Sequence, residues 1–441
     1  MVYNVHDFGA VGDGIHNDTS AIQAAIDACT KNGGGQVILN GGHTYRTGTL
    51  ILKSYVDLHL ETGAILKGSD HLEDYNVLGL CTHMPAQKHL DVPTYENCDY
   101  NGAPTLYFLY AKDSEYVSIS GQGKIDGNES IFHGDDSGYH IDGYFYPRIP
   151  MLFLEHIEHL SIQDVTLTSS AFWTVHLVGC EDVLIDGIRI LNSMRMANCD
   201  GIDPDHCKNV RIANCHIECA DDCIVFKNTS HANKYGACEN ICVTNCTMSS
   251  TSAAIKFGSE SDALFRNITI TNCNIHHTNR AISFMLRDSG SIENVVFSNI
   301  NIDTRRFSPA EWWGAAEPIS ITAVRRMEDT KIGHIKNVTF ENITCDCENG
   351  IFIHGEETRN IENLYFCNVT LAVNNKSKWP KKGHDLRPCI GNGMLQSPLS
   401  VVYARNAADV TFERFRYLIS EEMKAYAGQD FDVENCTEFH H

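Results

Sequence analysis

Three octapeptides, VRIANCHI at 210–217, ICVTNCTM at 241–248 and ITITNCNI at 268–275, repeat one pattern. In each of them apolar residues alternate with polar ones, and an Asn-Cys pair interrupts the alternation. Alternation with a period of two is typical of a strand with one buried face, and Asn tolerates the backbone of a tight corner. Each copy therefore predicts two short strands joined at a corner.

The pattern recurs along much of the chain. Further copies begin at Leu160, Val183, Val295, Val338 and Leu364. Successive copies start 23 to 43 residues apart, and several are followed by another short apolar strand. A unit of this size cannot enclose a core alone, but stacked units form a solenoid. We therefore predict a single all-β domain over 1–441, a right-handed parallel β-helix of about ten coils.

Both ends of the predicted solenoid differ from the repeat. An N-terminal cap over about 1–40 should contain a helix that starts near Thr19 or Asp18 and ends at the glycines of 33–35, because an open β-helix end exposes a sheet edge. Interruptions at 70–105 and 304–317 predict loops over one side of the solenoid. The C-terminal segment of about 374–441 is predicted to be non-repetitive.

Composition excludes several classes of partner. The formal charge of −22 argues against nucleic acid and anionic membranes, because both attract basic surfaces. The sequence also lacks the ~18 consecutive apolar residues of a membrane span.

The 18 cysteines lie along the whole chain, and many recur at one position of the repeat, so we expect reduced thiols. Paired CxxC motifs with zinc-like spacing are missing, so neither a metal nor another cofactor is expected. The start MVYNVHDFGAVGDG has no secretory leader, which predicts a cytoplasmic protein.

One group of residues has the composition of an acid–base site. Asp200 lies two residues before Ile202 and Asp222 two before Ile224, so stacking places them at one position of adjacent coils, with Asp221 beside them. Neighbouring carboxylates resist simultaneous ionisation, and such a group can hold one protonated acid and one ionised base. Glycoside hydrolysis requires both. A residue two before a buried isoleucine would point inward in an ideal strand, so bends are predicted at Gly201 and Cys223.

These residues belong to motifs that resemble those of the polygalacturonases, glycoside hydrolase family 28, over about residues 5–370. The motifs are FGAVGDG at 8–14, GQGKIDG at 121–127, FWTVHLVGC at 172–180, NCDGIDPDHC at 198–207 and DDCIVFK at 221–227. The resemblance implies a parallel β-helix and an inverting hydrolase. It implies that Asp221 protonates the glycosidic oxygen, while Asp200 and Asp222 hold and deprotonate the attacking water.

The chain departs from that family at two further motifs. Ala253 stands where the family has the histidine of Gly-His-Gly, and Ser283 and Met285 replace an Arg-x-Lys pair that binds the substrate's uronate carboxylate. A serine and a thioether cannot replace two cations. The chain is therefore expected to be a divergent member with poor activity on polygalacturonate.

Other residues are candidates for binding the sugar. Lys256 lies at an outward position after Ile255, and either tryptophan of the pair at 312–313 can stack on a sugar ring. Each candidate cation is equally well explained as a surface charge, and His176 as a buried structural histidine. Glu260 is expected to support the site. The substrate-binding candidates are Lys227, Lys256, Arg280, Trp312, Trp313, His176, Asp203 and Glu260.

The sequence as a whole favours a hydrolase that trims plant-derived oligosaccharides, pectic or related, from one chain end. A cytoplasmic enzyme meets small imported substrates, and the predicted loops can close one end of a cleft. One alternative is a β-helix transferase or lyase acting on another glycan, such as a fructan. Another is a carbohydrate-binding solenoid without catalysis, although such a protein has no need for three mutually repelling aspartates.

Overall fold

The computed structural model of the protein describes residues 1–80, 104–143, 148–309, 312–357, 359–381 and 383–441. Contacts between residues divide the chain into two units, Met1–Ala220 and Asp221–His441, which are described in turn. The prediction of a single domain stays a prediction.

The first unit begins with the predicted capping helix, Thr19–Lys31, which buries Ile22 and Ile26 on its apolar face. Asp18 occupies the N-cap position, but its carboxylate makes no capping hydrogen bond. It accepts the backbone N–H groups of Val11 and Gly12 instead, at 2.7 and 3.0 Å. Shorter 3₁₀ turns lie at Val5–Phe8, Leu72–Tyr75 and Glu129–Phe132.

Parallel strands of the first unit pair in three ladders. One ladder contains Val2–Asn4, Gly35–Leu39, Val56–Leu60, Leu109–Gly121, Leu152–Gln163, Glu181–Asp186 and Lys208–Ala213. Another contains Asp13–Asn17, Thr44–Thr47, Ile65–Gly68, Lys124–Asp126, Thr166–Thr168, Arg189–Leu191 and His216–Cys219. The last contains Leu50–Ile51, the starts of Leu109–Gly121 and Leu152–Gln163, then Val175–Val178 and Ile202–Asp205. An antiparallel pair, His133–Asp136 with Ile141–Gly143, lies outside the ladders.

The second unit has three ladders of the same kind. One contains Cys238–Thr244, Leu264–Thr271, Ser291–Thr304, Ile335–Cys347, Ile361–Val373, Ala407–Glu413 and Thr437–His440. Another contains Thr247–Ser250, Asn274–Thr278, the ends of Ser291–Thr304, Ile335–Cys347 and Ile361–Val373, then Arg416–Ile419. The ladder that we call the site ladder contains Ile224–Asn228, Ala253–Ser261, Arg280–Leu286, Ile319–Ala323, Ile351–Gly355, Val402–Arg405 and Phe431–Glu434.

Three smaller elements complete the second unit. They are the 3₁₀ turn Ser230–Tyr235, the helix Glu421–Lys424 and an antiparallel pair, His384–Asp385 with Met394–Leu395. Successive coils stack their strands into three parallel ladders, which is the arrangement of a parallel β-helix. The predicted fold class is therefore confirmed. None of the helices in the described parts of the chain has the length and hydropathy that a membrane span requires.

Asparagines form the corners of the coils, as the repeat predicts. In the second unit Asn272, Asn299, Asn342 and Asn368 all have left-handed backbones, with φ between 54° and 57°. The amide nitrogens of the last three donate to the amide oxygen of the asparagine on the preceding coil, at 3.2, 3.2 and 2.8 Å. We call these four residues the amide ladder. Inside the coils phenylalanines stack in the same way, for example Phe340 on Phe366 with ring centroids 4.7 Å apart.

The C-terminal region differs from the prediction. The interruption ends at residue 399, and the strands from Val402 onward return to the ladders, so 374–441 is not wholly non-repetitive. Arg414, with φ of 52°, forms the corner that asparagine forms in earlier coils, which hides this copy of the repeat. We call the antiparallel pair His384–Asp385 and Met394–Leu395 the hairpin, and its Leu386 packs on Phe352 and Tyr403 of the site ladder.

Candidate active site

Asp221 and Asp222 lie directly before the first strand of the site ladder. The backbone bends at Asp221 and again at Cys223, which is the bend that the sequence requires at this point. The Cys223 N–H donates to the carbonyl of Ala253 at 2.9 Å, and the Ser250 hydroxyl donates to the carbonyl of Asp221 at 2.5 Å. The next coil therefore fixes the backbone that presents both carboxylates.

Both carboxylate oxygens of Asp222 are bound by donors. Lys256 Nζ lies 2.6 Å from Oδ2, and the Ser252 hydroxyl donates to Oδ1 at 3.1 Å. The side chain of Asp222 is 1% exposed and that of Lys256 is 10% exposed. A cation and a hydroxyl donor on one buried carboxylate stabilise its anionic form.

Asp221 has a different environment, although it is the next residue. Its side chain is partly exposed, yet burial of the carboxyl raises its pKa, and the negative charge of Asp222 raises that pKa further. The positive charges of Lys256 and Lys227 oppose the shift without cancelling it. Asp221 therefore holds a proton more readily than an ordinary aspartate, beside a carboxylate that is held as an anion. This is the separation of roles that an acid–base pair requires.

Lys227 and Glu260 form a buried ion pair on the site ladder, with Nζ 3.2 Å from Oε2. Burial acts to raise the pKa of Glu260, but the charges of Lys227, Arg326 and Lys256 outweigh it and lower the pKa to about 2. Arg326 in turn donates to the carbonyl of Ser259 at 2.8 Å. These contacts give Glu260 a supporting position, whereas Lys227 directs its ammonium at Glu260.

Arg280, predicted to bind substrate, is instead directed at protein groups. Its side chain is 2% exposed, its Nε lies 3.1 Å from Glu317 Oε2, and its Nη2 donates to the carbonyl of Asp385 at 2.6 Å. Glu317 also accepts the Ala315 N–H at 2.8 Å and contacts His384 Nδ1 at 3.1 Å. Arg280 therefore joins the loop at 312–317 to the hairpin.

The two tryptophans of that loop differ in exposure. Trp312 is 6% exposed, whereas Trp313 is 38% exposed. The backbone around Trp313 is fixed, because Asn279 Nδ2 donates to its carbonyl at 3.3 Å and the Gly314 N–H donates to Asp385 Oδ2 at 3.2 Å. Of the two candidate sugar platforms, Trp313 is the one whose ring is accessible.

The three positions at which the chain departs from the family motif all lie on the site ladder. Ala253, Ser283 and Met285 are 3%, 0% and 2% exposed. Ser283 pairs in register with Lys256 and with Ser320 on the coils to either side. These three side chains therefore provide no positive charge for a substrate carboxylate.

In the first unit Asp200 is 2% exposed and precedes a bend at Gly201, the other predicted bend. His176 is buried between the rings of Phe153 and Trp173, with centroids 5.0 and 4.7 Å away, and its Nε2 lies 3.2 Å from Asp205 Oδ2. This is the environment of a structural histidine.

Asp203 is fully buried and pairs in register with His176. The grouping of Asp200 with Asp221 and Asp222 stays the prediction that the sequence register makes.

Sequence reasoning missed Ser252, although a signal was present. Ser252 lies three residues before Ile255, as Asp221 lies three before Ile224, and those two isoleucines pair in register. It also missed the partners of Arg280, because Glu317 and Asp385 lie in segments without periodicity.

Comparison with known proteins gives two family matches. The model of glycosyl hydrolases family 28 matches residues 94–384, and that of rhamnogalacturonase A/epimerase, pectate lyase-like, matches residues 2–73. A probable polygalacturonase of Vitis vinifera is 31% identical over 265 residues, covering 58% of this chain and 50% of that protein. An exo-poly-alpha-D-galacturonosidase of Dickeya chrysanthemi is 26% identical over 262 residues, covering 51% and 42%.

The chain thus spans about half the length of the curated relatives it matches. Among solved structures, the family 28 exopolygalacturonase of Yersinia enterocolitica superposes with a TM-score of 0.70 at 19% identity, covering 100% of this chain and 78% of that one. That likeness supports the parallel β-helix fold.

Proposed function

Because the chain belongs to glycosyl hydrolases family 28, we propose that it hydrolyses pectic oligosaccharides from one chain end with inversion at the anomeric carbon. The observation that supports this best is the unequal environment of two adjacent carboxylates. Asp222 is paired with Lys256 at 2.6 Å, while burial and the charge of Asp222 raise the pKa of Asp221.

In the proposed reaction Asp221 donates its proton to the glycosidic oxygen as the bond from that oxygen to the anomeric carbon breaks. Asp222, together with Asp200 as the sequence register predicts, accepts a proton from water. The water oxygen then bonds to the opposite face of the anomeric carbon. Inversion follows because a single displacement occurs. Asp222 then releases the proton it accepted to solvent, and Asp221 regains one from solvent.

Action from one chain end is supported by the covered outer face of the site ladder. Lys256, Ser283, Ser320 and Phe352 pair in register on successive coils, each about 4.8 Å apart. The hairpin packs on Phe352 and therefore covers this face three coils beyond Lys256. A substrate that lies along the face meets a wall there, which favours a pocket over an open groove.

We also propose that the enzyme acts in the cytoplasm, as the sequence predicts. Buried cysteines such as Cys180, Cys273 and Cys345 are thiols and not halves of a disulfide, and a reducing compartment maintains thiols in that state. Fractionation of cells that express the tagged protein checks this proposal.

The proposal predicts poor turnover of polygalacturonate compared with the best substrate in a panel of pectic, rhamnogalacturonan, fructan and neutral plant oligosaccharides. The reason is that Ser283 and Met285 provide no cation for a uronate carboxylate. Product mass and anomeric configuration are measured for each substrate, and products one sugar unit shorter with inverted configuration are expected.

Other outcomes of the panel separate the alternatives. Products of random length, or retained configuration, would contradict the proposed mode of action. An unsaturated product would indicate a lyase, and binding without turnover a carbohydrate-binding solenoid.

Trp313→Ala should raise KM by roughly 2- to 12-fold with little change in kcat, because an aromatic contact contributes about 0.5–1.5 kcal/mol. Trp312 provides a matched control one residue away. Trp312→Ala removes a buried ring and should lower Tm, since such changes cost about 3–5 kcal/mol. An unchanged KM in Trp313→Ala would show that this ring does not contact the sugar.

A further inference from the structure

Lys256 stands at an outward position of the site ladder, yet its ammonium is held within the protein. Lys256 follows Ile255, which pairs in register with Ile224, so its side chain starts one coil beyond the aspartates. From there Nζ reaches Asp222 Oδ2 at 2.6 Å, and both side chains are buried. The ammonium is therefore directed at Asp222 and not at solvent.

Ser252 approaches the same carboxylate from the start of that coil. Its hydroxyl donates to Asp222 Oδ1 at 3.1 Å, and its own N–H donates to the Ser250 hydroxyl at 2.8 Å. Ser250 in turn donates to the carbonyl of Asp221 at 2.5 Å. One short segment therefore orients Asp222 through its side chain and Asp221 through its backbone.

Two other cations near the two aspartates form ion pairs with other carboxylates. Lys227 faces the site from the strand after Asp222, but its ammonium lies 3.2 Å from Glu260. Arg326 is bound to Asp288 Oδ1 at 3.0 Å and to the carbonyl of Ser259. Lys256 makes its ion pair with Asp222 itself. Two adjacent carboxylates cannot share a charge equally when a cation contacts one of them.

We propose that Lys256 and Ser252 are positioning residues that orient Asp222 as the carboxylate which activates water, beside the acid Asp221. This inference rests on the proposed function. It differs from the substrate contact that the sequence predicts for Lys256. It also means that the coil with Ala253, which lacks the family's histidine, contributes to the reaction through Ser252 and Lys256.

The test is the pH dependence of kcat/KM in Lys256→Met, which keeps the length of the side chain and removes its charge. The alkaline limb should move to higher pH, because the charge of Lys256 lowers the pKa of Asp221 and is now missing. A nearby opposite charge shifts titration by about 1–3 pH units, and we expect this limb to move by about one unit.

Two variants serve as controls. Lys256→Arg keeps the charge and should restore a profile close to that of the wild type. Lys381→Met removes another buried lysine, which lies 2.5 Å from Glu348, and should lower Tm while leaving the alkaline limb in place. Ser252→Ala is a second test: it removes only a hydroxyl, which also lowers the pKa of Asp221, and should move the alkaline limb upward, so the inference stays testable if Lys256→Met does not fold.

A second readout does not depend on turnover. Infrared difference titration of the wild type against Asp221→Asn isolates the carboxyl signal of Asp221, and the same difference in the Lys256→Met background should titrate at higher pH. A raised KM with the alkaline limb unmoved would overturn the inference and make Lys256 a substrate ligand. A shifted infrared titration in a protein that cleaves none of the panel would instead contradict the proposed function alone.

Discussion

Asp221→Asn is expected to lower the rate on the natural glycan by about 10²–10⁴-fold, the usual contribution of a general acid. Asparagine keeps the shape of the side chain but has no proton to give to the departing oxygen. Burial and the charge of Asp222 raise the pKa of Asp221, so the wild-type residue can retain that proton. The measurement is kcat/KM on the natural glycan and on an aryl glycoside of the same sugar with a good leaving group.

The aryl glycoside is the control for this variant. Its leaving group needs little protonation, so Asp221→Asn should lower its hydrolysis much less than that of the natural glycan. Full activity on the natural glycan would show that another residue is the acid. An equal loss on both substrates would place Asp221 with the water instead.

Asp222→Asn should lower hydrolysis of both substrates to a similar degree, again by about 10²–10⁴-fold. Water has to be deprotonated whichever group leaves, and an amide cannot accept the proton. The ratio of the two rate losses, measured side by side, distinguishes this variant from Asp221→Asn. A loss confined to the natural glycan would reverse the two assignments.

Asp222→Asn should also reduce stability, because it leaves the buried ammonium of Lys256 without its carboxylate. Breaking one half of a buried pair typically costs about 3–5 kcal/mol. The double variant Asp222→Asn/Lys256→Met removes both charges and should recover Tm but not activity. If the double variant recovered activity, Asp222 would not be the base.

Features that follow the period of the repeat could be predicted from the sequence. Alternating apolar residues predicted the strands, and asparagines such as Asn272 predicted the corners. The step from Asp222 to Ile224 predicted a bend at Cys223, and the backbone bends there. Each of these signals is local, because the residues that act together lie within a few positions of one another.

Contacts between distant segments could not be predicted in this way. Arg280 lies 37 residues from Glu317, and Glu317 lies 67 residues from His384. No periodicity links such residues, so Arg280 was expected to face a sugar when it faces protein. Lys256 shows a second limit of prediction from the sequence, which concerns the direction of a side chain. Its outward position follows from the pattern, but the direction of a long side chain depends on its rotamer and on the coil beside it.

The amide ladder shows that coils of different length stack in the same way. Asn299 and Asn272 are 27 residues apart and Asn342 and Asn299 are 43 apart, yet both hydrogen bonds measure 3.2 Å. The additional residues of the longer coil include the tryptophan loop. Insertions on the sugar-facing side can therefore accumulate during evolution without altering the scaffold. Such a protein can acquire a new specificity by changing its loops while selection on stability acts on the corners.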